Sequence, residues 1–96
     1  MNLVGVEVIT NAQATHPRAA KRLAAWKAEV QDACWRSPLD VHKRYPSADR
    51  VGDRYVFDIG GNRYRLIVRI NFAAGVVRAL WFGTHADYDK IKVEEV

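Results

Sequence analysis

Arg63, Arg65 and Arg69 alternate with Tyr64, Leu66, Val68 and Ile70 in the run GGNRYRLIVRI. Alternate residues of a strand project to one side, so these arginines would form a ladder opposite the apolar row. A guanidinium fork stays charged at any relevant pH and makes bidentate contacts to phosphate oxygens. The chemistry such a ladder offers is phosphate binding, and the ordinary alternative is a set of solvated strand arginines. Arg78 lies on the following segment, and its facing depends on the strand register. Further on, His85 and Tyr88 stand three apart after Thr84, where a capped helical turn would carry both on one side. An imidazole can take or give a proton near neutral pH, and a phenol can donate one or stack on a base. Closing the turn and packing the core are their structural alternatives. His42, Lys43 and Arg44 make a basic cluster suited to nucleic-acid phosphates or simply to water. The three histidines are scattered and Cys34 is alone, so no metal-ligand spacing is present.

These residues need elements to hold them. LVGVEVI (3–9) is rich in β-branched residues and predicts an opening strand, followed by the polar patch TNAQATHP with at most a short helical turn. Pro17 is suited to the first helical position, with Thr15 or His16 as cap. From there Leu23, Trp26, Val30, Ala33 and Cys34 share one helical face. Ser37-Pro38 ends that helix and starts a second, LDVHKRY, with Ser37 and Asp40 spaced as a capping box and Pro46 beyond its end. SADRVGD reads as a loop. Three strands follow closely, 54–59, 63–72 and 76–83, and such short connections imply antiparallel neighbours. Trp81 faces opposite to Leu80 and Phe82. It reads as core, or on an open face as a residue that stacks a base or meets a partner. Thr84 and Asp87 cap a terminal turn, THADYDKI.

The order is β-α-α-β-β-β with a short closing helix, an α+β class. Two helices packed on one face of a mostly antiparallel sheet leave the other face free to be polar. With 96 residues, one domain spanning 1–96 is expected, and a 49% hydrophobic fraction suffices for its core. A formal charge of +4 leans weakly toward an acidic partner such as nucleic acid. Cys34, alone on an apolar helical face, is expected to be a small buried thiol in a reducing compartment. The N-terminus lacks the features of a signal peptide, and no apolar run reaches a membrane span, so a cytoplasmic protein is expected.

The run YVFDIGGNRYRLIVRINF followed by GTHADYDKI resembles the HigB family of bacterial toxins, within the RelE/ParE superfamily. The segments AAWKAEVQDACWRSPLDV and YPSADRVGDRYVF extend the resemblance from about Pro17 onward. Two features depart from the family pattern. The stretch before Pro17 is shorter than the usual first helix, which is therefore expected to be reduced or missing. A position often held by lysine is His42 here, with Lys43 next to it. The resemblance implies a RelE-like fold and an endoribonuclease that cuts messenger RNA on the ribosome, without cofactor or metal. In that reaction the RNA's own 2′-hydroxyl attacks the neighbouring phosphorus. A cognate HigA-like helix-turn-helix antitoxin would silence the enzyme in a hetero-oligomer. Carried onto this chain, Arg65 would stabilise the scissile phosphate, with His85 and Tyr88 completing the catalytic set. Asn62, Arg63, Arg69, His42, Lys43 and Arg44 would contact RNA. The rival readings are a ParE-like toxin that binds gyrase without cutting RNA, and a plain nucleic-acid-binding module.

Overall fold

The alternation across residues 64–70 is realised as the central strand of a five-stranded sheet. In the computed structural model, which describes residues 1–96, the chain runs β1 (Asn2–Val4), α1 (Val6–Thr15), a 3-10 turn (Pro17–Ala19), α2 (Ala20–Asp32) and α3 (Pro38–Arg44). Then come β2 (Asp49–Val51), β3 (Arg54–Ile59), β4 (Tyr64–Asn71), β5 (Val76–Thr84), α4 (His85–Tyr88) and a 3-10 turn (Val93–Glu95). The sheet order is β1-β5-β4-β3-β2, antiparallel except for the β1–β5 pair. This is an α+β, RelE-like arrangement.

One sheet face carries Tyr55, Phe57 and Ile59 of β3, Leu66, Val68 and Ile70 of β4, and Val77 and Ala79 of β5. They pack on Ile9 and Ala12 of α1, Leu23, Trp26 and Val30 of α2, and Val41 of α3. Leu23 and Leu66 have no exposed surface. Truncating either to alanine should cost about 2–5 kcal/mol through lost transfer energy and the cavity left behind.

The N-terminal expectation fails at Gly5. Only Asn2–Val4 is strand, and Val6–Thr15 is a full α-helix despite its β-branched residues. Gly5 has φ of 72°, and a Cβ there would stand 2.5 Å from the Ala79 carbonyl oxygen of β5. The chain therefore turns where only glycine fits, and burial of Ile9 and Ala12 overrides local strand preference. The first helix, expected to be reduced or missing, is present with ten residues, so three helices rather than two precede the main hairpins. The 49–51 part of the expected loop is also strand, paired to β3 across Gly52-Asp53.

Helix α2 ends at Asp32, and Ala33 is already extended, so Cys34 lies beyond the helix and is exposed, not buried. Ser37 occupies the cap position of α3 without a side-chain cap bond. The expected box does not form, and Asp40 Oδ2 instead accepts from the N–H of Arg36, one residue before the cap, at 2.9 Å. At α4 the expected cap is intact, with Asp87 N–H donating to Thr84 Oγ1 at 3.1 Å.

The second sheet face is not wholly open. Val56 and Ile67 are covered by Val93, with Ile91 and Val96 of the C-terminal segment and Leu80, Trp81 and Tyr88 around them. Arg54 fastens this segment, donating from Nε and Nη2 to the Val96 backbone oxygen at 3.1 and 2.8 Å. No helix is long and apolar enough to cross a membrane.

Candidate active site at the hairpin end of the sheet

The apolar cover over Ile67 divides the second face. Arg65 lies on one side of it and Arg69 on the other, four residues or about 13 Å along the strand. The expected single ladder of three arginines is therefore not formed. Arg63 precedes β4 in the β3–β4 turn and is exposed. Its carbonyl accepts from His85 N–H at 2.9 Å, which ties the start of α4 to the turn. Its guanidinium has no protein partner.

Arg65 is the one buried charged residue, 8% exposed. Its Nε meets Asp58 Oδ1 at 3.1 Å, Nη1 donates to the Tyr64 carbonyl at 3.1 Å, and Nη2 donates to Asn62 Oδ1 and to His85 Nδ1 at 2.9 Å. With five N–H groups on a guanidinium, one Nη1 hydrogen remains unengaged. A buried charge held this way keeps a fixed orientation, and loss of its charged partner Asp58 is costly. The Tyr88 ring lies 5.8 Å from the guanidinium carbon, within cation–π range.

Because arginine can only donate, His85 Nδ1 is the acceptor, and the proton of the neutral ring sits on Nε2. That nitrogen is 3.4 Å from Asp89 Oδ2, on a half-exposed side chain. Burial pushes the Tyr88 phenol above its ordinary pKa; the Asp49 charge adds to this, and Arg65 opposes it. The phenol therefore holds its proton throughout the neutral range. Together Arg65, His85, Tyr88 and Asn62 form a cationic fork, a proton-accepting or proton-donating ring, a proton-holding phenol and an orienting amide.

The remaining candidates lie elsewhere. Arg69 is exposed and paired with Asp53 at 2.7 Å, a bond that holds the Asp53 carboxyl below its usual range. It stands directly between Arg54 and Arg78 across the sheet. The largest cavity, about 610 Å³, opens at this end among Arg69, Arg78, Phe72 and Asp53, away from His85. His42 is a structural residue. Its Nδ1 lies 2.8 Å from the Pro38 carbonyl and its Nε2 2.8 Å from that of Ala48, so neither nitrogen is free for RNA. Lys43 is exposed on α3 without a partner. Arg44 pairs with Glu29 and lies over the Tyr45 ring. It borders a cavity of about 230 Å³ that also touches Asp58, the ion-pair partner of Arg65.

Two partners escaped the sequence reading. Asp58 and Arg65 are cross-strand neighbours, placed symmetrically about the turn 60–63, so a register count would have found the pair. Asp89 is four residues after His85, a spacing that brings two side chains together on a helix.

The HigB toxin family, described as the RelE-like toxic component of a toxin–antitoxin system, matches residues 19–91. A relative named mRNA interferase HigB, from Escherichia coli O6:H1 strain CFT073, is 29% identical over 79 residues, covering 79% of this chain and 77% of its own. The mRNA interferase toxin HigB of Escherichia coli K12 is 24% identical over 92 residues, covering 93% of this chain and 88% of its own. With three quarters of its length matched to that family and its sheet built accordingly, the chain belongs to the HigB toxins of toxin–antitoxin systems.

Proposed function

We propose that this chain is an endoribonuclease that cuts messenger RNA bound to the ribosome. The observation that carries this reading is the buried Arg65 guanidinium, with His85 Nδ1 hydrogen-bonded at 2.9 Å and the Tyr88 ring beside it. The 2′-hydroxyl oxygen attacks the adjacent phosphorus, the P–O5′ bond breaks, and a 2′,3′-cyclic phosphate and a free 5′-hydroxyl result. Arg65 neutralises charge gathering on the non-bridging oxygens, a contribution of the oxyanion-stabilising kind. His85 is the group that can take the 2′-proton, since Tyr88 holds its own more firmly than a free phenol does. Arrival of a phosphate would draw Nη2 away from His85 and release the Nδ1 lone pair when a base is needed. Tyr88 then protonates the leaving 5′-oxygen. Arg63 and Arg44 contact flanking phosphates. A cognate antitoxin, HigA-like and carrying a helix-turn-helix, restrains the activity in a hetero-oligomer.

Primer extension on cellular messages after induction tests this. New 5′-hydroxyl ends should appear on translated messages with the unaltered chain and disappear with Arg65→Ala. A gyrase-binding or purely nucleic-acid-binding protein would arrest growth without new ends and would tolerate His85→Ala.

A further inference from the structure

Trp81 owes its facing to an irregularity in β5. Val77 and Ala79 point into the helix-side core, and strict alternation would send Trp81 and Gly83 after them. The pairing with β4 shifts instead. Ile67 is opposite Trp81 while Val68 is opposite Ala79, so Leu80 is an extra residue. Beyond this bulge the facing inverts. Leu80 and Trp81 both pack toward Val56 and Ile67, and Phe82 joins the helix-side core. Bulges concentrate beside active sites, where they re-aim a side chain.

The re-aimed indole is laid toward the candidate site. A Cβ on Gly83 would stand 2.5 Å from Trp81 Cη2 and 2.7 Å from Cζ2, so the six-membered ring occupies the space a side chain at 83 would fill. Gly83 is the cross-strand partner of Arg65. The indole therefore lies beside the Arg65 stem, and its centroid is 6.3 Å from that of Tyr88. Trp26 and Trp35 are only 2% and 7% exposed, whereas Trp81 is partly exposed.

We infer that Trp81 is a base-stacking platform, receiving one nucleobase of an RNA strand whose neighbouring phosphate is held by Arg65. The inference rests on the nuclease reading above and adds the subsite that holds the base. An aromatic face beside a fixed guanidinium matches the pairing of base and phosphate within a nucleotide. Stacking of this kind tolerates any base, because each has a π-face.

The test uses a fluorescein-labelled 2′-O-methyl tetranucleotide, which cannot be cleaved, followed through the anisotropy of its label, together with cleavage kinetics on ribosome-bound message. The unaltered chain should bind it saturably. Trp81→Leu should bind about 5- to 150-fold more weakly, with KM raised more than kcat is lowered, and Trp81→Phe should recover much of the binding. Both variants keep an apolar side chain over Ile67, and their thermal unfolding shows that the fold is intact. Binding without cleavage by the unaltered chain, weakened in Trp81→Leu, would sink the nuclease reading and leave the stacking site standing. Binding and cleavage by Trp81→Leu equal to the unaltered chain would overturn the stacking site alone. No binding and no cleavage by the unaltered chain would overturn both.

Discussion

Arg65 and Arg69 are the same residue on the same strand and the same face, yet they occupy opposite circumstances. Arg65 is flanked by Asp58 on β3 and Gly83 on β5. One neighbour neutralises it, and the other makes room for an aromatic ring beside it. Arg69 is flanked by Arg54 and Arg78, like charges that repel it across both strands, and it meets only the exposed Asp53. A strand's alternation thus decides which face a side chain takes, and its lateral neighbours decide whether it becomes a site.

Arg65→Ala should produce the largest effect. Loss of one preorganised donor to developing charge lowers kcat by roughly 10²- to 10³-fold. Stability should also fall, by about 1–3 kcal/mol, as Asp58, Asn62 and His85 lose their shared partner. Arg69→Ala should change stability by less than about 0.5 kcal/mol, as expected of an exposed pair, with cleavage little affected. Equal losses of activity from the two substitutions, measured by single-turnover cleavage beside chemical denaturation, would erase the distinction.

His85→Ala should follow, with a loss of roughly 10²-fold in cleavage, the low end of what a general acid–base group contributes, and a melting temperature close to that of the unaltered chain. The half-exposed ring contributes one bond to Arg65 and one contact to Asp89. A variant that lost stability as heavily as Arg65→Ala would mark His85 as a clamp for the guanidinium, with no proton to move.

Much of this was legible in the chain. The period-two run of β4 and the spacing of Leu23, Trp26 and Val30 encode burial directly, and the Thr84–Asp87 cap is local chemistry. What could not be read depends on contacts distant in sequence. Val6, Val8 and Ile9 favour strands, and only packing of α1 on β5 makes them helical. The C-terminal segment over Ile67, which splits the arginine row, has no signature in the strands it covers. The β5 bulge is a matter of register, so Leu80 and Trp81 share a face where the expected alternation set them opposite, and only Phe82 stands across from Trp81 as expected.

The smallest effect expected is the one that separates the two ends by pH. Tyr88 has its pKa raised by burial, so its protonated form is the one favoured in the fold. Its contribution to stability is complete below the ordinary phenol value of about 10 and is lost as pH rises through the higher value in the folded protein. Asp53 is shifted the other way by Arg69. Its contribution is present above the ordinary carboxylate value and disappears as pH falls through the depressed one, and on an exposed pair it should shrink further in salt. Tyr88→Phe should therefore flatten the alkaline limb of an unfolding profile and leave the acid limb alone, while Asp53→Asn should trim only the acid limb, faintly and less in salt. If both substitutions moved the same limb, the two ends of this face would be electrically coupled through the covered patch at Ile67, and treating them as independent sites would be wrong.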